Sequence, residues 1–266
     1  MDFKLCAIAS GSSGNCTFLQ AGEQMFLIDI GISGKKVTEG LGELDIDPKA
    51  IQGIFITHEH IDHIKGVGIF SRKYDTPIYA TQKAWDKMLD ENMIGSVKDH
   101  NIRPICKEEA LHIEELKIFP YTIYHDAVDP VGYSFEYKQK KITIATDIGI
   151  IDERIKENLK GSHGILLEFN HDIHMLEAGS YPFYLKRRIL SDVGHLNNEA
   201  AAEVLRDIYH EGMQWAILGH LSKDNNVPDL AYLTAKMALE EKNIRVDKDI
   251  KVSVAKRDRV SEIHFI

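Results

Sequence analysis

Three cysteines in 266 residues, Cys6, Cys16 and Cys106, are too few and too odd in number for a disulfide framework, and they point to a reducing compartment, the cytoplasm. No apolar run approaches the roughly 20 residues that span a bilayer, so no membrane association is expected. Residues 1–10 have no charged block ahead of a long apolar one and lead straight into Gly11; they read as a first strand rather than a secretory leader. A basic excess is lacking too. The formal net charge is −9, opposite to the basic face of most nucleic-acid binders, although bound divalent cations would reverse the sign locally. Internal repeats, low-complexity stretches and Pro/Ser-rich linkers are absent. One domain over residues 1–266 is therefore expected, long enough to bury a sizeable core. The small-residue turn 10–15 does not end in the Gly-Lys-Ser/Thr of a phosphate-binding loop.

What is present is a dense series of short apolar runs rich in β-branched and aromatic residues. They predict strands at 5–9, 17–20, 25–29, 54–56, 78–80, 116–119, 122–124, 131–137, 141–145, 165–168, 215–218 and 251–254. Helical periods appear at 34–44, 67–74, 81–89, 152–159, 181–190, 197–209 and 228–242. Strands dominate the first half and alternate with helices later, which predicts a layered α/β protein with mixed sheets.

One segment carries a chemical signal. Thr57-His58-Glu59-His60-Ile61-Asp62-His63 puts three histidines and an aspartate within six residues, directly after a short apolar strand. Imidazole with carboxylate suits zinc, manganese or iron. Read as a loop, the segment lets His58 and His60 point to one side while Asp62 and His63 serve a second position, because adjacent residues rarely converge on one ion. Two ions roughly 3.5–4 Å apart would use all four and activate a shared water. Asp147 and His220 also stand just after short apolar runs, and His125 follows 121–124 in the same way. Polar residues at the ends of buried strands are where α/β proteins place their chemistry.

His-x-His-x-Asp-His after a strand resembles the signature of the metallo-β-lactamase superfamily. The resemblance implies an α/β (α+β) fold, the four-layer αβ/βα sandwich, with two divalent ions (zinc or manganese, with iron possible) at one edge. Asp29 then matches an early strand-ending aspartate that supports the metal loop. His125 matches the third histidine of the first site, Asp147 the bridging carboxylate and His220 the last histidine. The implied ligand sets are His58, His60, His125 and Asp147 for one ion, and Asp62, His63, Asp147 and His220 for the other. His195 is a rival for the place of His220.

Several branches of that superfamily fit poorly. Lactamases of the best-known class use a cysteine in the second site, and no cysteine follows Cys106. The oxygen-reducing branch has an acid where His60 stands. Glu168, after a short apolar run, and His195, before an alanine-rich helix, instead resemble the tRNA-processing and RNA-cleaving branches. There an acid supports a histidine that faces the scissile phosphate and stabilises its charge or protonates the leaving group. Capping of the next helix by Asn197 or Asn198 is the structural alternative. The 26 residues between Glu168 and His195 leave no room for a large cap domain, and the 21 between His125 and Asp147 leave none for a protruding arm. The segments 10–15, Asp29-Ile30-Gly31, Asn170-His171-Asp172 and 221–226 together resemble the YycJ/WalJ group of metallo-hydrolases. That resemblance implies a 5′-to-3′ exonuclease acting on DNA, with Asp62, His195 and Glu168 as catalytic groups. A small-molecule hydrolase of the same fold, a cyclic phosphodiesterase or thioesterase, is the alternative. Asn170, His171, Asp172 and His174 are read as bordering the substrate groove, with His171 aimed at Asp62 or a phosphate. Residues 224–226 read as a helix cap first and site residues second, and Lys186-Arg187-Arg188 as a solvated helix face first and the best candidate for nucleic-acid backbone contacts second.

Overall fold

The computed structural model describes residues 3–266; Met1 and Asp2 lie outside the described residues. The chain divides into two compact units. One comprises Met1–Pro120, Ala127–Val131 and Lys256–Ile266, the other Tyr121–Asp126 and Gly132–Ala255.

In the first unit β1 (Phe3–Ala9), β2 (Cys16–Ala21), β3 (Gln24–Ile28), β4 (Gly53–Phe55), β5 (Ile78–Thr81) and β6 (Ile102–Ile105) form a sheet in that order, and His264–Phe265 adds a short strand outside β1. Pairing is antiparallel from β1 to β3 and parallel from β3 to β6. The helices are α1 (Gly34–Glu43), the single turn α2 (Ile61–Ile64), α3 (Val67–Tyr74) and α4 (Gln82–Asp90). Ser33 and Thr81 cap α1 and α4 by accepting the amides of Lys36 and Ala84. Apolar residues at helical spacing, Val37 and Leu41, Val67 and Phe70, Trp85 and Met88, join Leu27, Ile54, Ile56 and Ile78 in one buried core. Each such side chain stabilises the fold by ~1.5–3 kcal/mol. A hairpin of β7 (Leu111–Ile113) and β8 (Leu116–Thr122) follows β6.

In the second unit β9 (Val131–Tyr137) turns through Lys138 and Gln139, both in left-handed conformations, into β10 (Lys140–Ala145). Such turns match the twist of the strands they join. From β10 the sheet continues in parallel through β11 (Gly164–Glu168), β12 (Trp215–Gly219) and β13 (Lys251–Val254). Every residue of β11 and β12 is buried, which is why they read as unbroken apolar runs. The connecting helices are α5 (Glu153–Leu159), α6 (Ile173–Ala178), α7 (Phe183–Ile189), α8 (Asn198–Ile208) and α9 (Pro228–Glu240).

Two mixed sheets flanked by helices make this an α/β protein, as the sequence predicts. In place of the strands expected at 116–119 and 122–124 there is one strand, Leu116–Thr122, which runs through Pro120 and leaves Ile123 and Tyr124 outside it. Proline lacks only the donor, and its carbonyl still accepts the amide of Glu108 at 2.8 Å. No helix among the described residues is long and apolar enough to cross a membrane.

Candidate metal centre

Each unit gathers its own share of the predicted donors. In the first, β4 delivers the chain to Thr57 and His58, and Asp62 and His63 lie on the one-turn helix α2 rather than in a loop. The helical turn folds this pair back toward His58 and His60, where an extended segment would carry it away. The ring of His58 lies 4.6 Å from that of His60 and 4.1 Å from that of His63, centroid to centroid.

Asp29 organises this cluster from a left-handed backbone conformation at the end of β3, with φ of 58°. Its carboxylate accepts the Thr57 amide at 2.9 Å, the Thr57 hydroxyl at 2.8 Å and His63 Nδ1 at 2.8 Å. With its own proton given to Asp29, Thr57 Oγ1 is left to accept from His58 Nδ1 at 3.0 Å. His58 and His63 are thereby protonated at Nδ1 and present Nε2, the arrangement that metal-ligating histidines take. His63 Nε2 lies 3.7 Å from Asp62 Oδ2.

Three supports of this half were not anticipated. Thr57 is one. Asn15 is another: its amide nitrogen Nδ2 lies 3.1 Å from His63 Nε2, and its backbone amide donates to Asp62 O at 2.8 Å. The turn 10–15 thus braces α2, which no local pattern in the turn announces. Gly31 is the third, lying so close to Asp62 that any Cβ there would meet the Asp62 carbonyl. Glu59, inside the motif, has a structural task instead: Oε1 accepts the Val128 amide at 2.9 Å and ties the Ala127–Val131 segment to this unit.

The second unit brings together His125, Asp147, Glu168, His195 and His220. Asp147 follows β10 and His220 follows β12, again with left-handed φ of 59° and 54°. Holding a non-glycine residue there costs ~1–3 kcal/mol, least for short polar side chains that bond locally. Asp147 Oδ1 lies 3.4 Å from His220 Nε2 and 3.9 Å from His125 Nε2. Glu168, fully buried at the end of β11, accepts His195 Nδ1 at 2.8 Å and His220 Nδ1 at 2.9 Å through Oε1. Its Oε2 accepts the amides of Ile148 at 2.8 Å and Leu196 at 3.2 Å. Burial opposes ionisation of this carboxyl, but His195 and His220 overcome it and hold its pKa down at about 2. His125 donates Nδ1 to Gly194 O at 3.2 Å, and burial pushes its pKa down against the pull of Asp147, which favours the neutral form that metal binding uses. Ligand atoms of Asp147, Glu168, His195 and His220 all lie within 4.8 Å of one another.

The chemistry of these donors fits divalent ions. In both units histidines are fixed through Nδ1 to a carboxylate, hydroxyl or carbonyl, and carboxylate oxygens stand opposite their Nε2 atoms.

Among the neighbouring residues, Asn170 Nδ2 donates to His220 O at 3.0 Å. Asp172 caps α6 and Asn197 caps α8. His171 is buried and its pKa is pushed down to about 4 by that burial, whereas His174 is exposed. Residues 224–226 do not cap α9. The cap is Val227, with Pro228 opening the helix and no side-chain bond, while Asn226 pairs its amide with that of Asn198 and donates to Phe169 O and Asn170 O.

The pattern of the Metallo-beta-lactamase superfamily matches residues 9–206. The chain belongs to the metallo-β-lactamase superfamily. It is a hydrolase of that superfamily, whose fold implies divalent metal ions. The chain is 35% identical over 266 residues, all of both chains, to "Exodeoxyribonuclease YycJ" of Bacillus anthracis. It is 38% identical over 250 residues, 94% of this chain and 93% of the relative, to "Exodeoxyribonuclease WalJ" of Streptococcus pneumoniae serotype 2. Among solved structures, the metallo-β-lactamase fold protein YhfI from Bacillus subtilis superposes with a TM-score of 0.72 at 15% identity, covering 98% of this chain and 99% of that one, which shows the fold.

Proposed function

We propose that this metallo-β-lactamase-fold hydrolase is a dinuclear phosphodiesterase that degrades DNA from the 5′ end, with residues 1–266 acting as one catalytic domain in the cytoplasm. The observation that carries the reading is the 35% identity, over all 266 residues, to a protein named as an exodeoxyribonuclease. In this proposal His58, His60, His125 and Asp147 hold one ion, and Asp62, His63, Asp147 and His220 the other. Zinc and manganese suit the mixed set, and iron does too. Bound ions supply Lewis acidity toward the phosphate and bring the pKa of a water nucleophile near neutrality.

The residues of the chain do the rest. Asp62, partly exposed near the start of its helical turn, orients the water and accepts its proton. His195 is partly exposed and held through Nδ1, so Nε2 is the atom it offers to a phosphate oxygen or to the leaving oxygen. Glu168, ionised and fully buried, stabilises the charged imidazole and fixes its direction.

The test is digestion of 5′- and 3′-end-labelled duplex DNA with manganese by wild type and Asp62→Ala. Stepwise loss from the 5′ end is expected for the wild type and not for the variant. Full activity of Asp62→Ala would sink the site assignment. If neither cleaves DNA while the wild type hydrolyses bis(p-nitrophenyl) phosphate, the substrate is a small phosphodiester, the reading that the net charge of −9 favours.

A further inference from the structure

The two most exposed large hydrophobic side chains among the described residues are neighbours: Phe183 at 76% and Tyr184 at 74%. They open α7, whose sequence Phe-Tyr-Leu-Lys-Arg-Arg-Ile holds three cations and no anion in a chain of net charge −9. Arg187, one turn along, lays its guanidinium 5.9 Å above the Phe183 ring. Its two neighbours are committed to structure. Lys186 Nζ donates to Glu177 O and Gly179 O at 2.7 Å each, and Arg188 forks onto Asp126. Backbone contact by Lys186 or Arg188, the second of the two readings from sequence, is therefore not their main employment; Arg187 and the two rings form the outward face.

This face is tied to the catalytic histidine. The carbonyl of Ile189, in the last turn of α7, accepts the amide of His195 at 3.0 Å, and Ser191 O accepts Gly194 N at 2.8 Å. A Cβ at Gly194 would stand 2.2 Å from Ile189 O and 2.3 Å from Arg188 O, so only glycine lets the chain fold back this tightly. From Ile189 to Phe183 the helix rises about 9 Å, the length of roughly two to three stacked bases at about 3.4 Å each.

We propose that Phe183, Tyr184 and Arg187 form a stacking platform for unpaired bases of single-stranded DNA, placed to hold the strand that His195 acts on. The inference rests on the nuclease reading above and names what that reading lacks, a contact with the bases. Aromatic faces with a guanidinium hold bases of any identity, which suits an exonuclease that must advance through arbitrary sequence.

The experiment is fluorescence anisotropy of a labelled single-stranded oligonucleotide titrated with Asp62→Ala protein, which removes turnover. The same background is compared with Phe183→Ala/Tyr184→Ala and with Tyr184→Phe, and thermal melting checks folding. The double alanine variant is expected to bind about tenfold or more weakly, and Tyr184→Phe to bind as its parent does. Equal affinity in the double variant, or no binding by the parent, overturns the proposal. So does a fall from dimer to monomer on light scattering with oligonucleotide affinity unchanged, since the surface would then serve a second copy of the chain. If the strand binds through these residues but the wild type releases nothing from end-labelled DNA, the nuclease reading fails and the platform stands.

Discussion

Adding one methyl group at position 31 perturbs the centre without touching a donor. A Cβ on Gly31 would lie 1.6 Å from the Asp62 carbonyl oxygen, 2.2 Å from its carbon and 2.7 Å from the Asn15 amide nitrogen. Carbon and oxygen approach no closer than about 3.3 Å even in weak hydrogen bonds, so these backbones must separate by more than an ångström. The same strands are bonded here through Gly31 N to Asn15 O at 2.7 Å, Asn15 N to Asp62 O at 2.8 Å and Ile30 N to His63 O at 2.7 Å. Overpacking against backbone costs ~1–3 kcal/mol, and the two bonds made by Asn15 add ~1 kcal/mol each when broken. We expect Gly31→Ala to lose ~3–5 kcal/mol, the sum of those costs, and, with Asp62 displaced, about 10²-fold in turnover. Gly42→Ala is the control. It lies in α1 with nothing within 4 Å of a Cβ, and alanine there should add up to ~1 kcal/mol. Urea unfolding and hydrolysis of bis(p-nitrophenyl) phosphate measure both variants. A Gly31→Ala protein that unfolds and turns over like the wild type would refute the argument.

Two further substitutions probe the supports. Glu168→Gln replaces an acceptor of four donors by a group with a donor of its own, so that NH2 must face two imidazole or two amide N–H groups; a loss of ~3–5 kcal/mol in urea unfolding is expected, and an unchanged midpoint would contradict it. Thr57→Val keeps the shape but removes the hydroxyl between Asp29 and His58, and chelator competition should show metal held about 10–100-fold less tightly. Retention equal to wild type would mean that the hydroxyl does not orient His58.

Much of this centre was legible in the sequence because its donors sit where patterns change. The segment from His58 to His63 compresses four proposed donors into six positions, and Asp147 and His220 each follow an apolar run that folds as a largely buried strand. The supports were not legible, for a physical reason. Asn15 acts on Asp62 and His63 from 47 and 48 positions away, and Gly31 matters because of what packs on it, so neither leaves a local trace. Glu59, between two histidines, has no signal for its own task either, since the Val128 amide that it bonds lies 69 positions away. Short elements escaped as well. α2 and α6 span four and six residues, too few to show a period. β6 contains Pro104 and is the edge of its sheet, where a missing donor does no harm.

The left-handed corners at Asp29, Asp147 and His220 narrow what evolution can write there. Glycine fits the backbone but has no side chain, and asparagine fits but brings a neutral amide. Glutamate can be held in this conformation, as Glu108 and Glu114 are with φ of 61° and 50°, but like cysteine it lacks the short, locally bonding side chain that eases it. Aspartate and histidine satisfy both demands. Exchanging the proposed ligands Asp147 and His220 for softer ones therefore meets resistance from the main chain before chemistry is consulted. Divergence among relatives is easier in the loops around the corners than at the corners themselves.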